Sequence, residues 1–235
     1  MHATAAQHLD TDLAALRDAL PLQQRVLRAG DVLFRAGQAL THLYILQTGL
    51  AKTTQFTSEG REQVMGLHFK GDWLGFDALA DGQHRCEAVA MDTASVWCVP
   101  YTELLAAAAR APELLRLMHR AMGRQHSRDR DALLSLCTLG ADARVADFLH
   151  HWARSLSDSG LRADQIRLRM TRAEIGNHLG LTLETVSRAL SRLARGDLIR
   201  FDDASARRDI RIPRVQALAE FVQRSVGGVA PAMAH

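Results

Sequence analysis

The sequence predicts an α+β protein: an N-terminal β-barrel or jelly roll, one long helix, and a C-terminal region of short helices closed by a two-stranded wing. Three observations carry this. Glycines punctuate short apolar runs from Val26 to Pro100. From Tyr101 to Leu139 they all but vanish, leaving only Gly123. Beyond Ala141, amphipathic helices flank a glycine-bearing turn and give way to two strands around a polar tip.

In the first region, "DVLFRAG", "HLYILQTG", "LAKTTQF", "EQVMGLHF" and "ASVWCVP" read as strands bounded by turns. Many short strands with regular turn signals suit a barrel or jelly roll, and this domain is assigned to residues 1–100. In the second region, 101–140, Pro112 stands where a helix can begin. Leu114, Met118, Ala121, Gln125, Ala132 and Leu136 then fall roughly on one face, interrupted by the polar run Arg124 to Asp131. One long helix is expected. Its apolar surface exceeds what one partner needs, which favours pairing with its twin in a dimer over packing on the barrel alone.

The third region, 141–227, opens with "ADARVADFLHHWARSL", where Val145, Phe148, Leu149 and Trp152 share a side. A polar loop from Ser157 to Asp164, a short strand "IRLRM" and the stretch "LIRFDDASARRDIRIP" complete the pattern, and residues 228–235 read as a disordered tail.

Within this region, "MTRAEIGNHLGLTLETVSRALSRL" is the strongest signal in the chain. Thr171 followed by Glu174 is a capping box that starts a helix. Gly176 is small enough for two helices to cross closely, and Gly180 tolerates the positive φ of a tight turn. Thr182 can cap the second helix, while Ile175, Leu179, Val186 and Leu190 fill the space between the two. The opposite face of that second helix then projects outward. Arg188 can fork onto guanine O6 and N7, Glu184 can accept from cytosine N4, and Ser187 can contact either strand. Arg172, Thr182 and Thr185 lie where helix starts meet phosphate. Arg207 and Arg208, at the hairpin tip, resemble a wing over the flanking backbone.

Charge supports a DNA reader. Residues 1–140 hold 14 basic and 15 acidic side chains, whereas residues 141–235 hold 15 and 11, and every basic residue of the second part is arginine. Arginine suits bidentate contacts with phosphate and guanine. No window approaches the ~20 consecutive apolar residues of a membrane helix, and no apolar signal core opens the chain. A cytoplasmic protein is expected, and Cys86, Cys98 and Cys137 are too scattered for a disulfide framework.

Barrel, long helix and winged helix-turn-helix together resemble the Crp/Fnr family of bacterial transcription regulators, from about Val26 to Ile212. "GDWLGFDALADGQHR" and "MTRAEIGNHLGLTLETVSR" look most like the Fnr branch. The resemblance implies a homodimer on double-stranded DNA. Glu184, Ser187 and Arg188 would read a TTGAT half-site within TTGAT-N4-ATCAA, its halves about one helical turn apart. It also implies contacts to RNA polymerase from Ser58, Glu59, Gly60 and Arg61 and from the loop 157–164. The genes expected are anaerobic, redox or nitrogen-oxide-related, activated or repressed according to where the site falls.

The cyclic-nucleotide-binding-like barrel could in principle sense one of four effectors. Cyclic AMP needs an arginine for phosphate and a carboxylate for ribose. Arg85 stands where that arginine would, but Phe76 replaces the glutamate and Cys86 a serine or threonine, so Arg85 is expected in a structural ion pair. A 4Fe–4S cluster takes four thiolates; Cys98 matches the barrel ligand, yet residues 1–85 hold no cysteine, which argues against the cluster unless the true start lies upstream. Haem stays open, although the eleven histidines are dispersed: His150 and His151 lie outside the barrel, and His42, His68 and His84 suit a surface as well as a ligand. A redox pair of Cys86 and Cys98, on neighbouring strand candidates, competes with two inert buried thiols. No cofactor is the expectation, as in a FixK-like regulator controlled by its abundance.

An enzyme is not expected. Asp72 and Asp77 lack a nucleophile or base at useful spacing, there is no P-loop or metal cluster, and the histidine-rich motif of a cupin enzyme is missing.

Overall fold

A computed structural model describes residues 13–202 and 208–227. The chain divides after Asp129 into two compact units, so the expected boundary at 140 lies inside the second unit and the long helix runs across the division.

Among its described residues the first unit holds eight strands: β1 (Gln23–Leu27), β2 (Val32–Phe34), β3 (His42–Thr48), β4 (Ala51–Phe56), β5 (Glu62–His68), β6 (Trp73–Leu74), β7 (Glu87–Ala90) and β8 (Ala94–Pro100). They form two four-stranded antiparallel sheets in the orders β1-β8-β3-β6 and β2-β7-β4-β5. The arrangement is jelly-roll-like and not a closed barrel, because β1, β6, β2 and β5 remain edges. β1 begins three residues before the region expected from sequence; its first four residues are exposed and show little apolar alternation.

The continuous apolar runs of β3 and β8 mark strands buried on both faces. Tyr44, Leu46, Ala94 and Val96 join Phe34, Ala51, Leu74 and Ala88 in a core shared by the two sheets. Leu43, Ile45, Trp97 and Val99 point the other way, against Leu13, Leu16 and Leu20 near the start of the described chain, and against the helical residues Leu104, Ala107, Leu114, Leu117, Met118 and Ala121. Each fully buried leucine contributes about 1.5–3 kcal/mol.

The single helix expected over 101–139 is two helices, α1 (Tyr101–Ala108) and α2 (Pro112–Thr138). Proline lacks an N–H and bars its predecessor from helical geometry, so the chain must restart at Pro112. The expected stripe also divides. Leu114, Met118 and Ala121 are spent on the first unit's own core, whereas Ala132 is exposed and Leu136 half-buried. The large apolar residues exposed in the far half are Leu133 and Leu134, about three-fifths accessible.

The second unit adds α3 (Ala141–Asp158), β9 (Gln165–Arg167), α4 (Arg172–Leu179), α5 (Leu183–Arg195), β10 (Arg200–Phe201), β11 (Asp209–Arg211) and α6 (Val215–Gly227). The three strands form one antiparallel sheet in the order β10-β11-β9. The wing hairpin agrees with the sequence pattern, whereas α6 is an addition to it. Arg207 and the expected tail 228–235 lie outside the described residues.

Candidate nucleic-acid interface

The candidate interface is built on two caps. The Thr171 hydroxyl accepts the Glu174 N–H at 3.1 Å, and the Glu174 carboxylate accepts the Thr171 N–H at 2.8 Å, closing the capping box that starts α4. The helix ends on Gly180 at φ 63°, in the left-handed region that glycine tolerates. The Leu181 N–H then donates to the Gly176 carbonyl at 2.8 Å. A Cβ on Gly176 would stand 2.5 Å from the Leu181 carbonyl oxygen. That glycine therefore admits the turn itself, not the crossing of two helices expected from sequence. The Thr182 hydroxyl accepts the Thr185 N–H at 3.2 Å to start α5, and the two hydroxyls share a further bond of 2.9 Å.

Val186, Ala189, Leu190 and Leu193 of α5 are buried, as are Ile175 and Leu179 of α4. The remaining face of α5 turns outward, with Glu184, Arg188 and Arg195 exposed and Ser187 and Ser191 half-buried. Glu184 and Arg188 stand four residues apart, yet they make no ion pair with each other or with any other described residue. Thr182 and Thr185 sit at the start of this face. Arg172 lies in the first turn of α4, half-buried, with its guanidinium 6.0 Å from the Phe201 ring centroid. Arg208 is exposed at the described edge of the wing.

Two ties that local sequence patterns do not announce hold this face in place. Arg192, on the same helix, is drawn off to Asp142 in the first turn of α3 through two bonds of 2.5 Å. Arg144, also near the start of α3, donates to the Leu139 carbonyl at 2.8 Å and to the Leu179 carbonyl at 3.2 Å, satisfying an orphan acceptor at the end of α4. Arg192 and Asp142 stand 50 residues apart in sequence, and Arg144 and Leu179 stand 35 apart, beyond the reach of any spacing rule.

Two family models match the chain: a cyclic nucleotide-binding domain over residues 24–111 and a Crp-like helix-turn-helix domain over residues 143–221. Over 177 residues the chain is 36% identical to the fumarate and nitrate reduction regulatory proteins of Salmonella typhi and Escherichia coli K12, spanning 75% of this chain and 71% of theirs. The chain belongs to the Crp/Fnr family of DNA-binding transcription regulators. Among solved Crp/Fnr-type structures, FixK2 from Bradyrhizobium japonicum superposes with a TM-score of 0.75 at 30% identity, covering 86% of this chain and 97% of that one. A Crp-family transcriptional regulator of Thermus thermophilus reaches 0.66 at 25% identity, covering 89% and 100%.

The remaining candidates lie in the first unit. Ser58, Glu59, Gly60 and Arg61 are exposed at the tip of the β4–β5 hairpin, where the Thr57 N–H meets the Arg61 carbonyl at 2.9 Å and Arg61 pairs with Glu59 at 3.2 Å. His68 and His84 are buried, not at the surface. Burial pushes the His68 imidazole down to about 4, so it is neutral at physiological pH, with Nε2 on the Thr53 hydroxyl at 3.2 Å. Among the described residues no three His, Cys, Asp or Glu side chains gather as a metal site requires, and no helix is long and apolar enough to cross a membrane.

Cys86 and Cys98 do not lie on neighbouring strands. Cys98 is in β8, between β1 and β3, whereas Cys86 precedes β7, which runs between β2 and β4 in the other sheet. Burial and the Asp77 carboxylate push the Cys86 thiol up to about 12, and burial raises Cys98 as well. Thiols, unlike thiolates, are poor nucleophiles. Native protein titrated with a disulfide reagent at neutral pH is expected to show one fast-reacting cysteine, the exposed Cys137. Retention of the fast phase in Cys137→Ser would refute the assignment.

Proposed function

We propose that the chain acts as a homodimer reading a TTGAT-N4-ATCAA palindrome in double-stranded DNA, without a small-molecule effector. The observation that carries this is the outward face of α5. Glu184 and Arg188 are exposed there with no competing partner among the described residues, while the neighbouring Arg192 is held by Asp142. An arginine kept in reserve beside a committed one fits a base-reading role: Arg188 on guanine, Glu184 on cytosine, Ser187 between them. Thr182, Thr185 and Arg172 would hold the flanking phosphates. Leu133 and Leu134 supply an apolar surface for a second copy of α2, and the two-fold dimer matches the two-fold site.

At promoters, the exposed tip Ser58 to Arg61 would meet RNA polymerase. The likeness to the fumarate and nitrate reduction regulators supports control of anaerobic, redox or nitrogen-oxide genes.

The test is fluorescence anisotropy of the aerobically purified protein, with nothing added, on a TTGAT-N4-ATCAA duplex and on one with both guanines replaced. Tight binding to the first and not the second is expected, at a stoichiometry of two chains per duplex. Equal binding to both would overturn the base-reading assignment. Specific binding that appears only after haem or iron and sulfide are supplied would overturn the effector-free part.

A further inference from the structure

Between β6 and β7 the chain passes through Gly75, a short 3-10 turn Phe76–Ala78, and a loop ending at Cys86. Four donors along it converge on one side chain. Asp77 Oδ2 accepts the Arg85 N–H at 2.7 Å, the Cys86 N–H at 3.3 Å and the Cys86 thiol at 3.3 Å, while Oδ1 faces His84 Nδ1 at 3.3 Å. The His84 ring is 1% exposed and stacks on Phe34 with centroids 3.8 Å apart, so it cannot turn away. Successive backbone N–H groups aimed at one point, reinforced by side-chain donors, make an anion seat. Burial by itself would raise the Asp77 carboxyl, but the His84, Arg85 and Cys86 donors outweigh it and hold the group below the usual carboxylate range.

The matched domain model is a cyclic nucleotide-binding one, yet a cyclic nucleotide does not fit the residues present. Its phosphate would compete for N–H groups that Asp77 already holds, and two charged acceptors in one seat repel each other. Arg85, the arginine such a ligand would need, is bound to Asp81 through Nη2 and through Nε at 2.9 Å. Phe76, where a ribose-binding carboxylate would be required, packs its ring parallel to Trp73 with centroids 5.7 Å apart.

We propose that Asp77 is the resident ligand of this seat: the chain supplies its own carboxylate where a nucleotide-binding domain takes a phosphate, so the seat is satisfied from within and closed to phosphate esters. The arrangement stands on contacts inside the first unit and does not depend on the DNA-reading assignment. It would account for a domain of nucleotide-binding type in a regulator that, on the reading proposed above, needs no effector.

Chemical rescue tests it on the full chain, without DNA. Asp77→Ala removes a carboxylate that formate can replace. Thermal unfolding of the variant in about 50 mM sodium formate, against sodium chloride of equal ionic strength, is expected to shift upward by several degrees, as for any ligand bound only by the folded state. The wild type, its seat already filled, is expected to shift by less than about 1 °C. Should Asp77→Ala fail to fold in chloride, recovery of its circular dichroism in formate reads the same point. Asp77→Ser, which keeps a small acceptor, gives an independent comparison. Variants indifferent to formate would overturn the proposal, and so would calorimetric binding of cyclic AMP to the wild type that is lost in Arg85→Ala.

Discussion

Arg188→Ala is expected to weaken binding to the TTGAT palindrome by about 1–3 kcal/mol at each half-site, and to erase the preference for guanine. Arg188 is exposed on the outer face of α5 with no described partner, so its fork is free to meet the O6 and N7 acceptors together. Truncation removes both bonds and leaves the base acceptors facing a void. Arg188→Lys keeps the charge and loses the planar fork, so it should recover affinity more than discrimination. Competition between the wild-type duplex and the guanine-replaced one, read by anisotropy, separates the two effects. A mutant that still distinguished the duplexes would show that another side chain reads the guanine.

Gly176→Val is expected to destabilise the second unit by about 3 kcal/mol and to abolish specific DNA binding, because overpacking a site that cannot relax falls at the upper end of its usual cost. The added Cβ would meet the Leu181 carbonyl oxygen at 2.5 Å and the Leu181 and Thr182 carbonyl carbons at 3.3 Å. All three are backbone atoms in the turn between α4 and α5, and they are held by the bond from Leu181 N–H back to Gly176. No side chain can swing aside. Calorimetry should show an early unfolding transition for the second unit and an unmoved one for the first. Gly180→Ala is the milder contrast: its Cβ would meet only side-chain tips at 3.7 Å, leaving the cost of φ 63° alone.

These effects fall in the part of the chain most legible from sequence. Capping by Thr171 and Glu174, the turn at Gly180 and the start at Thr182 are all local, within reach of spacing rules, and the structure places them as expected. Legibility fails where contacts are distant. Pro112 reads as a helix start, and its local effect on Ala111 also marks a break, which the glycine-poor run from Tyr101 to Leu139 obscures. The apolar stripe of α2 is visible in sequence. Its division between the first unit's core and an exposed surface depends on packing against β3 and β8, which no spacing within the helix reveals. Arg192 reads as another outward arginine unless Asp142 is known to stand beside it. Asp77 reads as idle because its donors come from His84, Arg85 and Cys86, brought around by a loop. Two open sheets, and not a barrel, follow from strand pairings that periodicity cannot assign.

The arginine-rich composition of the second unit overstates its grip on a polyanion. Arg162, Arg167, Arg192, Arg200, Arg211 and Arg214 each carry an internal carboxylate partner, and Arg144 is spent on carbonyl groups. Such cations have already lost much of their field, and a DNA strand gains little by shedding counterions to meet them. The ions released on binding, and so the steepness with which affinity falls as salt rises, follow the few uncommitted arginines and not all fifteen between residues 141 and 235. On the proposed reading, a regulator built this way gives up general stickiness for DNA and concentrates its discrimination on the short outward face of α5.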